Sequence, residues 1–321
     1  MKWTKLGNIF NPSEHDSFNE YVGYAQYPHA LVYDDFVRIY FAIRKQSENG
    51  KYLSYIQFID MDKDLKKIIN KSNKTVVELG KIGCFDEHGV FPMNAVRYKN
   101  KIYGYTFGVS RKESVVLESS IGLVISDDDG LTYKRIGNGP VLTSSINEPF
   151  VLGTPNVQII DNVFHMWYLY GIEWKIFKEN TIPERIYKLG HATSTDGINW
   201  TKEGRQIIAD KFEEESQANP TVIQINNRYH MFFCYRQSFD FRKNKGKSYR
   251  IGYAYSDDLI NWTRDDDKAG IDVKEGDWDS EMICYPNIFK FNENIYMIYN
   301  GNEFGKFGIG LARLDLNAQT F

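Results

Sequence analysis

Five X-Pro dipeptides recur along the chain at nearly constant spacing. They are Tyr27-Pro28, Phe91-Pro92, Thr154-Pro155, Asn219-Pro220 and Tyr285-Pro286, at intervals of 64, 63, 65 and 66 residues in a chain of 321. Each proline opens the same phrase: an apolar run, a tight polar turn and an aromatic-rich run. A fixed period of this kind confines the chain to repeat architectures, in which each unit buries its apolar face against its neighbours.

Each unit divides into four strands. The apolar runs at 30–33, 95–98, 157–160, 222–225 and 288–291 end in Asp34-Asp35, Lys99-Asn100, Asp161-Asn162, Asn226-Asn227 and Asn292-Glu293. Such pairs suit hairpin turns with φ > 0. The aromatic run is the second strand. The third carries a glycine in four units: Gly122, Gly190, Gly252 and Gly310. Polar turns of the type Ser126-x-Asp128-x-Gly130 lead to a fourth strand marked by Trp200-Thr201-Lys202 and Trp262-Thr263-Arg264. Side chains of Ser and Asp close such turns on backbone amides, a structural task.

The fifth unit ends after its third strand, whereas Trp3-Thr4-Lys5 repeats the fourth-strand phrase. The N-terminus is therefore expected to pair with residues 308–313 and to bury Trp3 between the last unit and the first. Closure of this kind removes unpaired sheet edges. The fold expected is all-β: a five-bladed β-propeller of four-stranded antiparallel blades, a single domain over 1–321. Its blades span about 11–80, 81–145, 146–210, 211–275 and 276–321 with 1–10. With 15% aromatic residues, composition favours strands.

A net charge of −3 without a basic block argues against a nucleic-acid partner. Neither an apolar leader nor a run of about 18 apolar residues is present, so a cytoplasmic location without a membrane partner is expected. Cys84, Cys234 and Cys284, odd in number and without CxxC spacing, read as reduced packing residues. No metal or cofactor motif stands out.

In a propeller, first strands line a central channel, and residues before each proline converge at one mouth. Glu87, Glu215 and Glu281 stand five residues before their prolines, and Glu148 seven before Pro155. Carboxylates gathered in a channel separate into acid and base roles. The expectation is that Glu281 and Glu215 act as acid and base while Glu87 tunes them. Their competing role is to bind the backbone of neighbouring blades. Tyr27, His29, Arg44, Asn94, Asn156, Gln217, Asn219, Arg236, Asp279, Tyr285 and Asn300 are the expected ligand contacts. Flat rings pack on sugar faces, and amides and guanidiniums read hydroxyls or an anionic group.

The phrases Glu215-Ser216-Gln217-Ala218-Asn219-Pro220, Trp278-Asp279-Ser280-Glu281-Met282-Ile283-Cys284-Tyr285-Pro286 and Tyr299-Asn300-Gly301-Asn302, with Gly305, Gly308 and Gly310, carry a resemblance. The chain resembles the five-bladed propeller glycoside hydrolases: arabinanases, β-xylosidases, invertases and mannoside phosphorylases. Within them it is similar to a glycosidase-like branch associated with bacterial polysaccharide genes. The resemblance implies action on a glycosidic or sugar-phosphate bond and a carbohydrate or sugar-phosphate ligand. Arabinanases and xylosidases carry an Asp before the first proline where Tyr27 stands here, and Phe91 precedes the second, so their inverting triad does not transfer. Two alternatives follow: a glycan-binding propeller without turnover, and a transferase acting on an activated sugar.

Overall fold

The structure, a computed structural model, describes residues 1–315 except 16, 17, 19, 48, 49 and 180. Its strands form antiparallel meanders of four. Gln26–Val32, Phe36–Gln46, Tyr52–Asp62 and Ile68–Lys71 make the first meander. Gly89–Tyr98, Lys101–Ser110, Glu118–Ser126 and Lys134–Arg135 make the second. A single parallel bridge, Ser54 to Gly89, joins these two into one sheet. The third runs through Phe150–Ile160, Val163–Lys175, Glu184–Ser194 and Thr201–Lys202. The fourth runs through Glu215–Ile225, Arg228–Gln237, Arg250–Ser256 and Thr263–Arg264. Cys284–Phe291, Asn294–Asn300, Ile309–Leu314 and the N-terminal Trp3–Phe10 complete the last.

The hairpin turns take the conformation their residues favour. Asp161, Asn162, Asn226, Asn227, Asn292 and Glu293 all have positive φ. The polar turns close on side chains: Gly130 N–H donates to Ser126 Oγ at 2.8 Å, and Thr132 N–H to Asp128 Oδ1 at 2.9 Å. Ser194 with Asp196, and Ser256 with Asp258, repeat the pattern.

First strands of successive meanders adjoin around one axis, and the fifth returns to the first, so the molecule is a β-propeller. Five apolar clusters fill the seams. Between the fourth and fifth meanders, for example, Ile223, Phe232 and Tyr253 meet Ile288, Met297 and Tyr299. Near the axis, at four of the seams, a side-chain oxygen accepts from the next inner strand. Asn94 Oδ1 takes Val157 N–H at 2.8 Å, Asn156 Oδ1 takes Val222 N–H at 3.2 Å, and Thr221 Oγ1 takes Ile288 N–H at 3.1 Å. Asn287 Oδ1 takes Ala30 N–H at 2.9 Å and so joins the fifth meander to the first.

The N-terminal strand pairs as expected, from Trp3 opposite Leu314 to Phe10 opposite Ile309. Trp3 does not lie between the last and first units, however. Its ring meets Phe232 edge-on at 5.5 Å, on the fourth-meander side. Two register shifts follow along the strand, and Phe10 at its far end packs on Phe41 of the first meander. One strand thus serves both seams, with Trp3 and Phe10 on opposite faces. Among the described residues, no helix is long and apolar enough to cross a membrane.

Candidate functional site

Every first strand breaks register with its second at the X-Pro step: between Gln26 and His29, Phe91 and Asn94, Gly153 and Asn156, Ala218 and Thr221, and Cys284 and Asn287. Proline supplies no N–H to the ladder, and the residue before it is barred from the right-handed helical region. Tyr27, Thr154, Asn219 and Tyr285 answer with positive φ, forming bulges that re-aim their side chains. Tyr27, Phe91 and Tyr285 line the central funnel. Tyr27 and Tyr285 stack with centroids 3.9 Å apart, and Tyr249 continues the aromatic surface 5.6 Å from Tyr285. Asn219 and Thr154 lock together at the same level, Asn219 N–H donating to Thr154 Oγ1 at 3.1 Å.

The funnel encloses about 650 Å³, within the range of small-molecule sites. Four guanidiniums line it, those of Arg44, Arg185, Arg236 and Arg242, against the single carboxylate of Glu303. Arg44 donates to Gln26 Oε1 at 2.9 Å and lies over Tyr24 at 4.3 Å. Gln26 in turn donates to the Phe304 carbonyl at 2.7 Å, fixing the opposite wall. Arg236 is 2% exposed. It stacks on Phe241 at 3.6 Å and donates to Tyr187 Oη at 3.2 Å and to the Gln237 carbonyl at 2.8 Å. Arg242 pairs with Glu184, and Glu303 with Lys306 at 2.7 Å.

Of the expected ligand contacts, Tyr27, Arg44, Arg236 and Tyr285 line this cavity. The others sit elsewhere. Asn94 and Asn156 are the seam clasps described above. Asn300, fully buried, accepts from Tyr27 N–H and donates to the Ala25 and Gly308 carbonyls. Its task is to hold the strand bearing Tyr27. His29 Nδ1 accepts from Asn287 Nδ2 at 3.0 Å, and burial lowers its pKa to about 4. Gln217 donates to Asp210 Oδ1 at 3.2 Å, and Asn219 to the Pro286 carbonyl at 2.8 Å. Burial also pushes the Cys234 thiol up to about 12, in keeping with a packing role.

None of the three expected catalytic glutamates lines the funnel. Glu215 is fully buried, with both oxygens on Arg264 at 2.7 and 2.8 Å and one on Lys211 N–H at 2.6 Å. Glu281 is half-buried and pairs with Lys245 at 2.6 Å. Glu87 accepts from Gly83 N–H at 2.8 Å. The physical equivalents of Glu215 are not at a fixed distance from proline. They are Asp86 on Arg135, Glu148 on Lys202 at 2.6 Å and Asp279 on Lys5 at 2.6 Å, each ion-paired to the outermost strand of its own meander. Burial raises the Asp86 carboxyl, partly offset by Arg135. Asp279 thus ties the inner end of its meander to the outermost strand and does not line the funnel; Tyr299 also donates to it, at 3.0 Å. The preceding Trp278 lies where a Cβ on Gly301 or Gly310 would come within 2.5 and 2.6 Å of its ring, which explains both glycines.

Sequence reasoning missed Gln26, Arg185, Tyr187, Tyr249 and Phe304. Arg185, Tyr187 and Tyr249 stand at the start of third strands, just before the recurrent Leu189-Gly190 and Ile251-Gly252. Up-and-down order brings third-strand starts to the same face as first-strand starts, so the recurrent glycines could have located them.

No protein-family model matches the sequence. Among solved structures it resembles a glycoside hydrolase, with TM-score 0.73 and 18% identity over 96% of this chain and 90% of that one. It also resembles a thermostable family-43 glycoside hydrolase, with TM-score 0.65 and 13% identity over 91% and 90%. At these identities the likeness is one of fold. In sequence, 107 residues are 29% identical to β-1,2-mannobiose phosphorylase of Thermoanaerobacter sp. (strain X514), covering 32% of this chain and 33% of that one. Over 317 residues, 98% of this chain and 100% of the relative, it is 32% identical to uncharacterized protein Rv1502 of Mycobacterium tuberculosis (strain ATCC 25618 / H37Rv). The protein belongs to the family of Rv1502.

Proposed function

We propose that this protein is glycosidase-like and acts on a carbohydrate in the central funnel of a five-bladed propeller, with residues 1–321 forming one domain. The observation that carries the reading is the stacked Tyr27–Tyr285 surface, aimed into the funnel by two X-Pro bulges and ringed by guanidiniums and tyrosine hydroxyls. Such a surface suits the apolar face of a sugar ring while its polar surroundings suit the hydroxyls. The propeller fold shared with the family-43 glycoside hydrolase and the partial likeness to the mannobiose phosphorylase support it.

Two-carboxylate hydrolysis requires a pair flanking the scissile bond, roughly 5–9.5 Å apart. The funnel lining supplies Glu303 alone. Glu303 and Phe304 adopt left-handed backbone at the mouth, a conformation that persists where surrounding structure enforces it. We assign Glu303 the proton transfer to a leaving sugar, and Glu215 a structural role. One acid suffices when the attacking group needs no deprotonation, as in phosphorolysis.

The test is product release from a panel of aryl glycosides and disaccharides, with and without inorganic phosphate. Glu303→Gln and Tyr27→Ala should each lower kcat/KM by roughly 100-fold or more, about 2.7 kcal/mol, while Glu281→Gln stays near wild type. Full activity in Glu303→Gln would refute the assignment. A second reading, binding without turnover, draws on the absence of all three expected glutamates from the lining. Sugar binding with no product from any member of the panel would favour it.

A further inference from the structure

The second strand of the third meander outruns its counterparts. Val163–Lys175 holds 13 residues, against 7 to 11 in the other second strands. Its excess pairs Glu173 to Lys175 with Ile186 to Glu184, so a two-stranded arm stands at the funnel mouth, where Arg185 and Tyr187 line the cavity. The mouth loop of the fourth meander packs on this arm: Phe239 stacks on Phe177 at 5.1 Å, and Arg242 pairs with Glu184. Apolar side chains meet solvent here. Ile176 is 61% and Ile182 68% exposed, and Ile172 is exposed as well. Cations surround them. Residues 172–179, 181–185 and 239–247 carry seven Lys and Arg against four carboxylates, in a chain where Asp and Glu outnumber Lys and Arg 42 to 39. Lys178 and Lys247 lie over the Phe239 ring at 5.2 and 5.4 Å. The opposite end of the molecule reverses the charge. Its turns also expose isoleucines, Ile198 and Ile260, but beside Asp196, Asp257 and Asp258.

We propose that this arm and loop dock the protein on an anionic lipid surface, with the funnel opening toward the headgroups. Isoleucines spaced among lysines do not form the continuous apolar core of a protein–protein interface. A bilayer asks for no such core: apolar side chains enter between headgroups while lysines meet anionic lipid at the surface. Lying on a membrane is distinct from crossing it, so docking needs no membrane-spanning helix, and none is found among the described residues. The Phe177–Phe239 stack and the Arg242–Glu184 pair already fix arm and loop together, leaving little order to impose on docking. Resting on the reading of the funnel as a carbohydrate site, docking also names the substrate class: a saccharide borne on a lipid.

Vesicle co-sedimentation tests this with the full chain, comparing phosphatidylcholine alone with phosphatidylcholine mixed with phosphatidylglycerol. Binding to the anionic vesicles should be at least about tenfold tighter and should weaken as salt rises. An Ile176→Ser, Ile182→Ser double variant and a Lys178→Gln, Lys243→Gln, Lys247→Gln triple variant should each lose about tenfold or more. All five side chains are at the surface, so folding is not at stake. An Ile198→Ser, Ile260→Ser variant, altered at the opposite end, should bind as wild type does. Three results would each overturn the docking: no binding to either vesicle, wild-type binding in both mouth variants, or loss in the opposite-end variant alone. Binding to heparin without binding to vesicles would overturn it too, by naming a soluble acidic polymer as the partner of the arm. Sugar binding is followed separately, in solution. If vesicles fail to bind while a sugar binds and is lost in Tyr27→Ala, the docking falls and the carbohydrate funnel stands. If vesicles bind through the arm but no sugar binds, the docking stands and the lipid-borne substrate falls with the funnel reading.

Discussion

Glu215 belongs to the sheet. Its carboxylate is fully buried and held by Arg264, itself only 10% exposed. Removing one member of such a pair strands the other, at a cost of about 3–5 kcal/mol, whereas replacing both by neutral groups costs less. Arg264→Met should therefore lower unfolding free energy by about that amount, and the Glu215→Gln, Arg264→Met double variant should recover much of it. Denaturant titrations of the three proteins check this; an Arg264→Met protein as stable as wild type would contradict it. His29 gives a test in pH. Burial lowers its folded pKa to about 4, against about 6.5 when unfolded. Between these values the unfolded state binds the extra proton, so the His29 contribution is present above about pH 6.5 and is lost progressively as pH falls toward 4. The melting temperature should fall less steeply over that window in His29→Gln than in wild type, and parallel slopes would refute the linkage.

At the level of elements, the repeat made most of the fold legible. The prolines marked the inner strands, the Asn and Asp pairs marked turns that adopt positive φ, and Trp3-Thr4-Lys5 identified a fourth strand that pairs with Ile309–Leu314. What stayed hidden was which face of the strand Trp3 occupies. That depends on bulges between Lys5 and Gly7 and between Asn8 and Phe10, which no spacing reveals. The carboxylates misled for a related reason. Glu87, Glu215 and Glu281 share an offset in sequence, but insertions of one or two residues before each proline place Asp86, Glu148, Glu215 and Asp279 in the shared physical position. The better signal was the cation two residues after the fourth-strand aromatic, in Lys5, Arg135, Lys202 and Arg264. Truncating Trp3 to Ala should cost about 3 kcal/mol or more. Deleting residues 1–8 should lower the melting temperature further and promote association through the uncovered edge of Ile309–Leu314. A deletion variant that stays monomeric with unchanged melting would contradict this closure.

Over the whole molecule, the same prolines that pace the repeat also shape the funnel. Each breaks the ladder next to the axis, and the residue before it is turned out of register. Where that residue is aromatic it faces the cavity; where it is Thr154 or Asn219 it ties neighbouring blades together. Fold and site are therefore coupled through five short steps, and the seam clasps Asn94, Asn156, Thr221 and Asn287 keep those steps aligned. The most direct test of the account is a crystal structure of the protein soaked with a sugar that calorimetry shows to bind. The account predicts the sugar ring on Tyr27 and Tyr285, within reach of Glu303 and the funnel arginines. A sugar bound instead beside Glu281 and Lys245 on the outer surface, with the funnel unoccupied, would contradict it.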